Sequence, residues 1–259
     1  MRFLGLHLLQ SVGLVDSPRR SAVAEIDPAG ALSRLEFVTS DADILAALGA
    51  GPAIVAVDAP LAVANDTGRR DVEHVLAWCD VPAFPVSRRR LAQVFGGMRG
   101  VDLRAAAPPG LDLVETLPDL ALRLMMFEEA FGDAPMDLAD YRPRWLQVRA
   151  PVYRPKGPGR ARGAGVVEAA AILRRHVDLG GWSPSAQTDD WAVIRDAAAL
   201  DAILCATVAH RASRPAGTAR IGDPVHGELL APVDENLRRR LDVNVERLRR
   251  EGAIRAGGG

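Results

Sequence analysis

What the chain has little of narrows the reading first. Its 259 residues hold two cysteines, Cys79 and Cys205, far apart and outside any C-x-x-C pair, which weakens a zinc or redox-motif reading. Both sit in apolar helical patterns and read as buried free thiols of a reducing compartment. An excess of either charge is also missing. With 32 Lys plus Arg against 33 Asp plus Glu, the formal net charge is -1 and names no polyanionic partner. No apolar run approaches the roughly 18 residues of a membrane helix. The N-terminal MRFLGLHLLQ is short, has no small-residue cleavage signature and reads as a first strand, so a cytoplasmic protein is expected. P-loop, G-x-G-x-x-G and G-x-S-x-G motifs are absent, leaving nucleoside-triphosphate hydrolysis by a P-loop, dinucleotide binding and serine-hydrolase chemistry without support.

Hydrophobic patterning supplies the order of elements. Residues 2-RFLGLHLL-9 form an apolar run, 21-SAVAEID-27 alternates, and 28-PAG-30 turns the chain into 32-LSRLEFV-38, which predicts an antiparallel three-stranded meander. Ser40 and Asp41 offer N-cap chemistry for a helix over 41–49. The continuous apolar stretch 53-AIVAVDA-59 predicts a strand buried on both faces and, after the helical crossover, parallel to the first. Residues 68–79 carry helical spacing, 82–100 read as a loop with a short helix, 111-LDLVETLP-118 as a fifth strand, and 119–131 as a helix. The Pro-, Gly- and Arg-rich stretch 132–165, which includes 154-RPKGPGRARGAG-165, reads as an irregular basic insertion. Helical patterns resume at 166–177 and 196–212. A turn and one short strand follow at 220–233, then a charged exposed helix at 235–252 and a disordered glycine tail at 257–259. The expected fold is a single α/β domain over 1–259, a mixed five-stranded sheet flanked by helices in the order of a ribonuclease-H-like sheet.

Two apolar strands end on an acid followed by proline: Asp58 before Pro60 and Glu115 before Pro118. In open α/β sheets the cleft lies at the carboxyl ends of the central strands. Phosphodiester hydrolysis there uses two divalent ions about 4 Å apart, and hard oxygen ligands suit Mg²⁺ or Mn²⁺. Asp201, flanked by Leu200, Ala202 and Ile203 on an apolar helix, needs a partner, either an arginine or a metal. Asp196 reads at least as well as an N-cap. Asp58 also reads as a turn cap beside Pro60, and Glu115 as a salt-bridge partner of Arg123 or a nearby arginine.

The motifs 57-VDAPL-61, 68-GRRDVE-73, 114-VETLP-118, 200-LDAILCA-206 and 222-GDPVHGELLAP-232, in that order over residues 3–233, resemble the family catalogued as domain of unknown function 429, predicted ribonuclease-H-like nucleases. The resemblance implies a metal-dependent nuclease or phosphodiesterase. Asp58, Glu115 and Asp201 match its acidic, catalytic and metal-holding positions, and Arg69 and Arg70 a basic pair that would contact substrate phosphate. One position departs from the pattern: 5-GLH-7 puts His7 where the first strand normally carries an aspartate. Imidazole suits Mn²⁺, Zn²⁺ or iron better than Mg²⁺, so His7 reads either as a further ligand or as a hydrogen-bonded strand residue. The alternative to a hydrolase is a catalytically degenerate member that binds nucleic acid, a nucleotide or a protein partner.

The basic clusters 86-VSRRRLAQVFGGMRG-100 and 154-RPKGPGRAR-162 could follow a phosphate backbone, but without interleaved Tyr or Trp they read as solvated surface. The run 71-DVEH-74 reads as a solvated helix face, and His176, His210 and His226 occupy no ligand spacing.

Overall fold

Alternation along the first strand, Arg2–His7 (β1), sets the architecture. Phe3 and Gly5 face one side of the sheet, Leu4 and Leu6 the other. In the computed structural model, which describes residues 1–9, 20–154, 163–185 and 189–255, β1 pairs antiparallel with Ser21–Ile26 (β2). That strand in turn pairs antiparallel with Leu32–Val38 (β3), completing the expected meander. A helix, Asp41–Leu48 (α1), follows its Ser40 cap, whose hydroxyl accepts from the Asp43 amide at 3.1 Å. It leads into Ala53–Val57 (β4), parallel to β1 as expected.

Beyond β4 lies Leu111–Glu115 (β5), also parallel. The sheet then exceeds the expected five strands. The segment read as a turn and one strand forms a hairpin, Thr218–Asp223 (β6) and Gly227–Pro232 (β7), and β7 joins β5 through the Glu115 to Leu229 pairing. The result is a mixed seven-stranded sheet of order β3-β2-β1-β4-β5-β7-β6. The first hairpin strand escaped notice because Gly222 sits inside it and reads as a breaker.

Among the described residues the remaining helices are Asp71–Trp78 (α2), Arg88–Phe95 (α3), Arg99–Ala106 (α4), Pro118–Phe131 (α5), Leu138–Gln147 (α6), Gly163–Leu173 (α7), Asp190–Arg211 (α8) and Glu235–Arg250 (α9). One sheet face is covered by α8, backed by α5 and α7; α1 and Leu103 of α4 cover the other. Apolar nearly all round, α8 is a buried helix. It lies so close to β1 that a Cβ on Gly5 would come within 2.0 Å of the Ala202 carbonyl oxygen.

Two further expectations need correction. The irregular insertion 132–165 contains α6, capped by Asp137, whose Tyr141 and Trp145 stand one helical turn apart and bury against Phe127. Pro143 and the arginines masked that period. The final helix, read as exposed, is amphipathic and buries Leu237, Leu241 and Leu248. The basic tract 155–162 and the glycine tail 257–259 lie outside the described residues. Cys79 and Cys205 are buried free thiols, and no helix among the described residues is long and apolar enough to cross a membrane.

Asp80 ties this second layer together. Its carboxylate accepts from Arg142 Nε at 3.0 Å and from Arg240 on α9, while its carbonyl accepts from Arg123 at 2.8 Å. Hydrogen bonding from Arg142, then Arg240, outweighs partial burial and holds its carboxyl below the ordinary value. A carboxyl depressed on folding contributes stability that is present above about pH 4 and lost as pH falls through the folded value. The stability gap between wild type and Asp80→Asn is therefore expected to shrink on acidification, read from urea midpoints at pH 7 and pH 3. A gap that stays constant would contradict this.

Candidate functional site

Period-two alternation places two of the anticipated residues together. On β1 the set Phe3, Gly5, His7 and along β4 and the residue after it the set Ile54, Ala56, Asp58 share the α8 face, and the parallel register aligns Gly5 with Ala56 and Leu6 with Val57. The Asp58 amide extends the ladder by donating to the Leu6 carbonyl at 2.9 Å. His7 and Asp58 thus emerge side by side at the carboxyl end of the sheet. From above, α8 brings in Asp201, which is 1 % exposed.

His7 Nδ1 lies 3.3 Å from Asp58 Oδ2 and 3.3 Å from Asp201 Oδ2. One ligand atom from each of the three falls within 4.8 Å of the others, and the group could hold a metal ion. Burial opposes charge on the imidazole, but hydrogen bonds and charge from Asp201 and Asp58 outweigh it and lift His7 to about 9. Burial alone would raise Asp201; the Arg154 charge and the His7 hydrogen bond hold its carboxyl well below the usual range.

Tyr153, Arg154 and Asp119 complete the cluster. Tyr153 donates its hydroxyl to Asp201 Oδ1 at 2.6 Å. Arg154 donates from Nε to Asp201 Oδ2 at 2.8 Å, from Nη2 to Asp201 Oδ1 at 2.8 Å and Asp58 Oδ2 at 3.2 Å, and from Nη1 to Asp119 Oδ2 at 3.2 Å. Their segment is seated by Gly165 of α7, where a Cβ would come within 2.3 Å of the Val152 carbonyl oxygen. No sequence motif marks Tyr153 or Asp119, and Arg154 lies in a stretch whose composition reads as a solvated loop. The available signal was Asp201 itself, whose apolar flanks demand a partner.

Glu115 and Arg70 behave otherwise than expected. Both are buried, and Arg70 Nη1 and Nη2 donate to the two Glu115 carboxylate oxygens at 2.8 and 2.6 Å. Nε of Arg70 donates to Glu73 at 2.7 Å, and Nη1 also donates to the Ala62 carbonyl at 2.9 Å. With its donors so engaged, Arg70 forms a structural ion pair and not a phosphate contact. Burial pushes the Glu115 carboxyl up while the Arg70 charge pulls it back. The alternative reading of Glu115, a salt bridge, thus holds with Arg70 as its partner; Arg123 donates to the carbonyls of Val148, Asp80 and Trp145. Arg69 is exposed and does not line the cavity described below. Glu73, read as part of a solvated face, is buried and caps α2. The α8 cap is Asp189; Asp196 accepts from the Ser185 amide at 2.6 Å and stands apart from the triad.

The basic run 86–100 is largely engaged as well. Arg88 donates to the Val63 carbonyl, Arg90 covers the Phe84 ring and Arg99 pairs with Asp41. A cavity of about 510 Å³ opens beside the triad, lined by His7, Asp58, Asp119 and Arg154, by the paired Arg70, Glu73 and Glu115, and by apolar groups including Leu91, Phe84 and Phe95. A larger cavity of about 970 Å³ between the ends of α5, α7 and α8 is remote from these residues, and its Glu128 and Glu129 are paired with Arg211 and Arg175. No family model, curated protein or solved structure matches the chain.

Proposed function

We propose that the protein is a divalent-metal-dependent hydrolase of phosphodiester bonds built on a ribonuclease-H-like core. The observation that carries the reading is the convergence of His7 Nδ1, Asp58 Oδ2 and Asp201 Oδ2 at the carboxyl ends of β1 and β4. Supporting the fold assignment is the order β3-β2-β1-β4-β5, with β2 antiparallel to β1 and the next two strands parallel to it.

One imidazole and two carboxylates suit Mn²⁺ better than Mg²⁺. The ion, when bound, would polarise a phosphoryl oxygen and activate water. His7, once its proton is displaced, would hold it together with Asp58 and Asp201. Glu73 and Glu115 being occupied by Arg70, Asp119 is the remaining acid lining the cavity, the group assigned to accept the proton of the attacking water. A concave space of about 510 Å³ has the size of a small-ligand pocket. The substrate is therefore a small phosphoester or the end of an unpaired nucleic acid strand, its flat apolar part against Phe84 and Phe95.

With Mn²⁺ supplied, cleavage of single-stranded DNA or RNA is expected, and Asp58→Asn or Asp201→Asn should slow it by at least about 10²-fold, the scale of losing one group that stabilises transition-state charge. Equal turnover by wild type and both variants would sink the proposal. A second reading, a non-hydrolytic binder of the same phosphoesters, draws on Arg154, which already neutralises the acids. Binding of a labelled single strand with no product would favour it.

A further inference from the structure

The two carboxylate oxygens nearest His7 are both already in use. Asp58 Oδ2, 3.3 Å from His7 Nδ1, accepts from Arg154 Nη2 at 3.2 Å; Asp201 Oδ2, also 3.3 Å from His7, accepts from Arg154 Nε at 2.8 Å. A metal ion drawing on these oxygens and the guanidinium cannot share them at full strength, because each interaction aims positive charge at the same lone pairs. The third arm of the fork reaches Asp119, so one planar cation spans three carboxylates.

We propose that the Arg154 guanidinium is the exchangeable cation of this cluster and competes with a divalent ion for the oxygens of Asp58 and Asp201, setting the affinity at which metal is taken up; this rests on the metal-site reading above. The residue is built for displacement. Tyr153 is 1 % exposed and held to Asp201, fixing the backbone, whereas the Arg154 side chain is 37 % exposed. Rotation of that side chain would take the guanidinium off both oxygens and leave His7 beside them.

Isothermal titration of the full chain with Mn²⁺ tests the idea. Arg154→Gln is expected to bind Mn²⁺ about tenfold or more tightly than wild type, matching the loss of charge-assisted hydrogen bonds from the competing group. Arg154→Lys keeps the charge but loses the planar fork. It is therefore expected to bind more tightly than wild type as well, and it carries the decision should Arg154→Gln fail to fold. Tightening in Gln with Lys indistinguishable from wild type would mean that net charge and not occupancy matters, overturning the proposal. Equal affinity in wild type and both variants, abolished in each by Asp58→Asn, would also overturn it while leaving the metal site standing. No Mn²⁺ binding by any of them would overturn both.

Discussion

A Gly5→Ala variant is expected to lose about 3 kcal/mol or more of folding stability, the upper part of the range for overpacked positions. The added methyl would come within 2.0 Å of the Ala202 carbonyl oxygen and 2.1 Å of the Ala206 amide nitrogen. Both are backbone atoms of α8, so no side-chain rotation relieves the overlap and helix and strand must part. Asp201 lies on the same helix, one residue before Ala202, and the parting would carry it away from His7 and Asp58. Mn²⁺ affinity should fall together with the urea midpoint. Gly97→Ala serves as the comparison. A Cβ there meets nothing within 4 Å, and a change within about 0.5 kcal/mol is expected, as for surface positions generally. Equal midpoints for the two variants would refute this account of the β1–α8 contact.

Arg70→Ala is expected to cost about 3–5 kcal/mol, the scale of breaking a buried pair by removing one partner. Glu115 and Glu73 are 5 and 3 % exposed and would be left facing each other without a counter-charge. Replacing both ends, Arg70→Met with Glu115→Leu, removes the stranded Glu115 charge and should recover part of the loss. A substrate-binding arginine behaves differently: its removal raises KM and leaves the melting temperature unchanged. Measuring both quantities on Arg70→Ala separates the roles, and an unchanged melting temperature would restore Arg70 as a phosphate ligand.

The N-terminal half of the fold was legible because its signals are local. The turn at 28–30, the Ser40 cap and the unbroken apolar run of β4 each act over a few residues. Asp58 followed from the same logic, and Asp201 from the cost of burying an unpartnered carboxylate. Glu115 ends its strand much as Asp58 does, on an acid two or three residues before a proline, and sequence alone does not separate them. What distinguishes them is Arg70, 45 positions away, which reaches both Glu115 oxygens. Arg154 was obscure for a related reason. It sits in a run of arginine, glycine and proline whose composition signals a loop, while its role depends on the chain folding back to Asp201, 47 positions further on.

The helix that completes the site is made late. Asp201 follows His7 by 194 positions (201 − 7), so a ribosome has delivered most of the chain before the cluster can assemble. Until α8 emerges, the β1–β4 face that it covers, with Phe3, Ile54 and Ala56, stays open to water. A nascent or prematurely ended chain that stops before residue 190 thus leaves an apolar face exposed and prone to aggregation, and Asp201 joins His7, Asp58 and Arg154 only once α8 has been made.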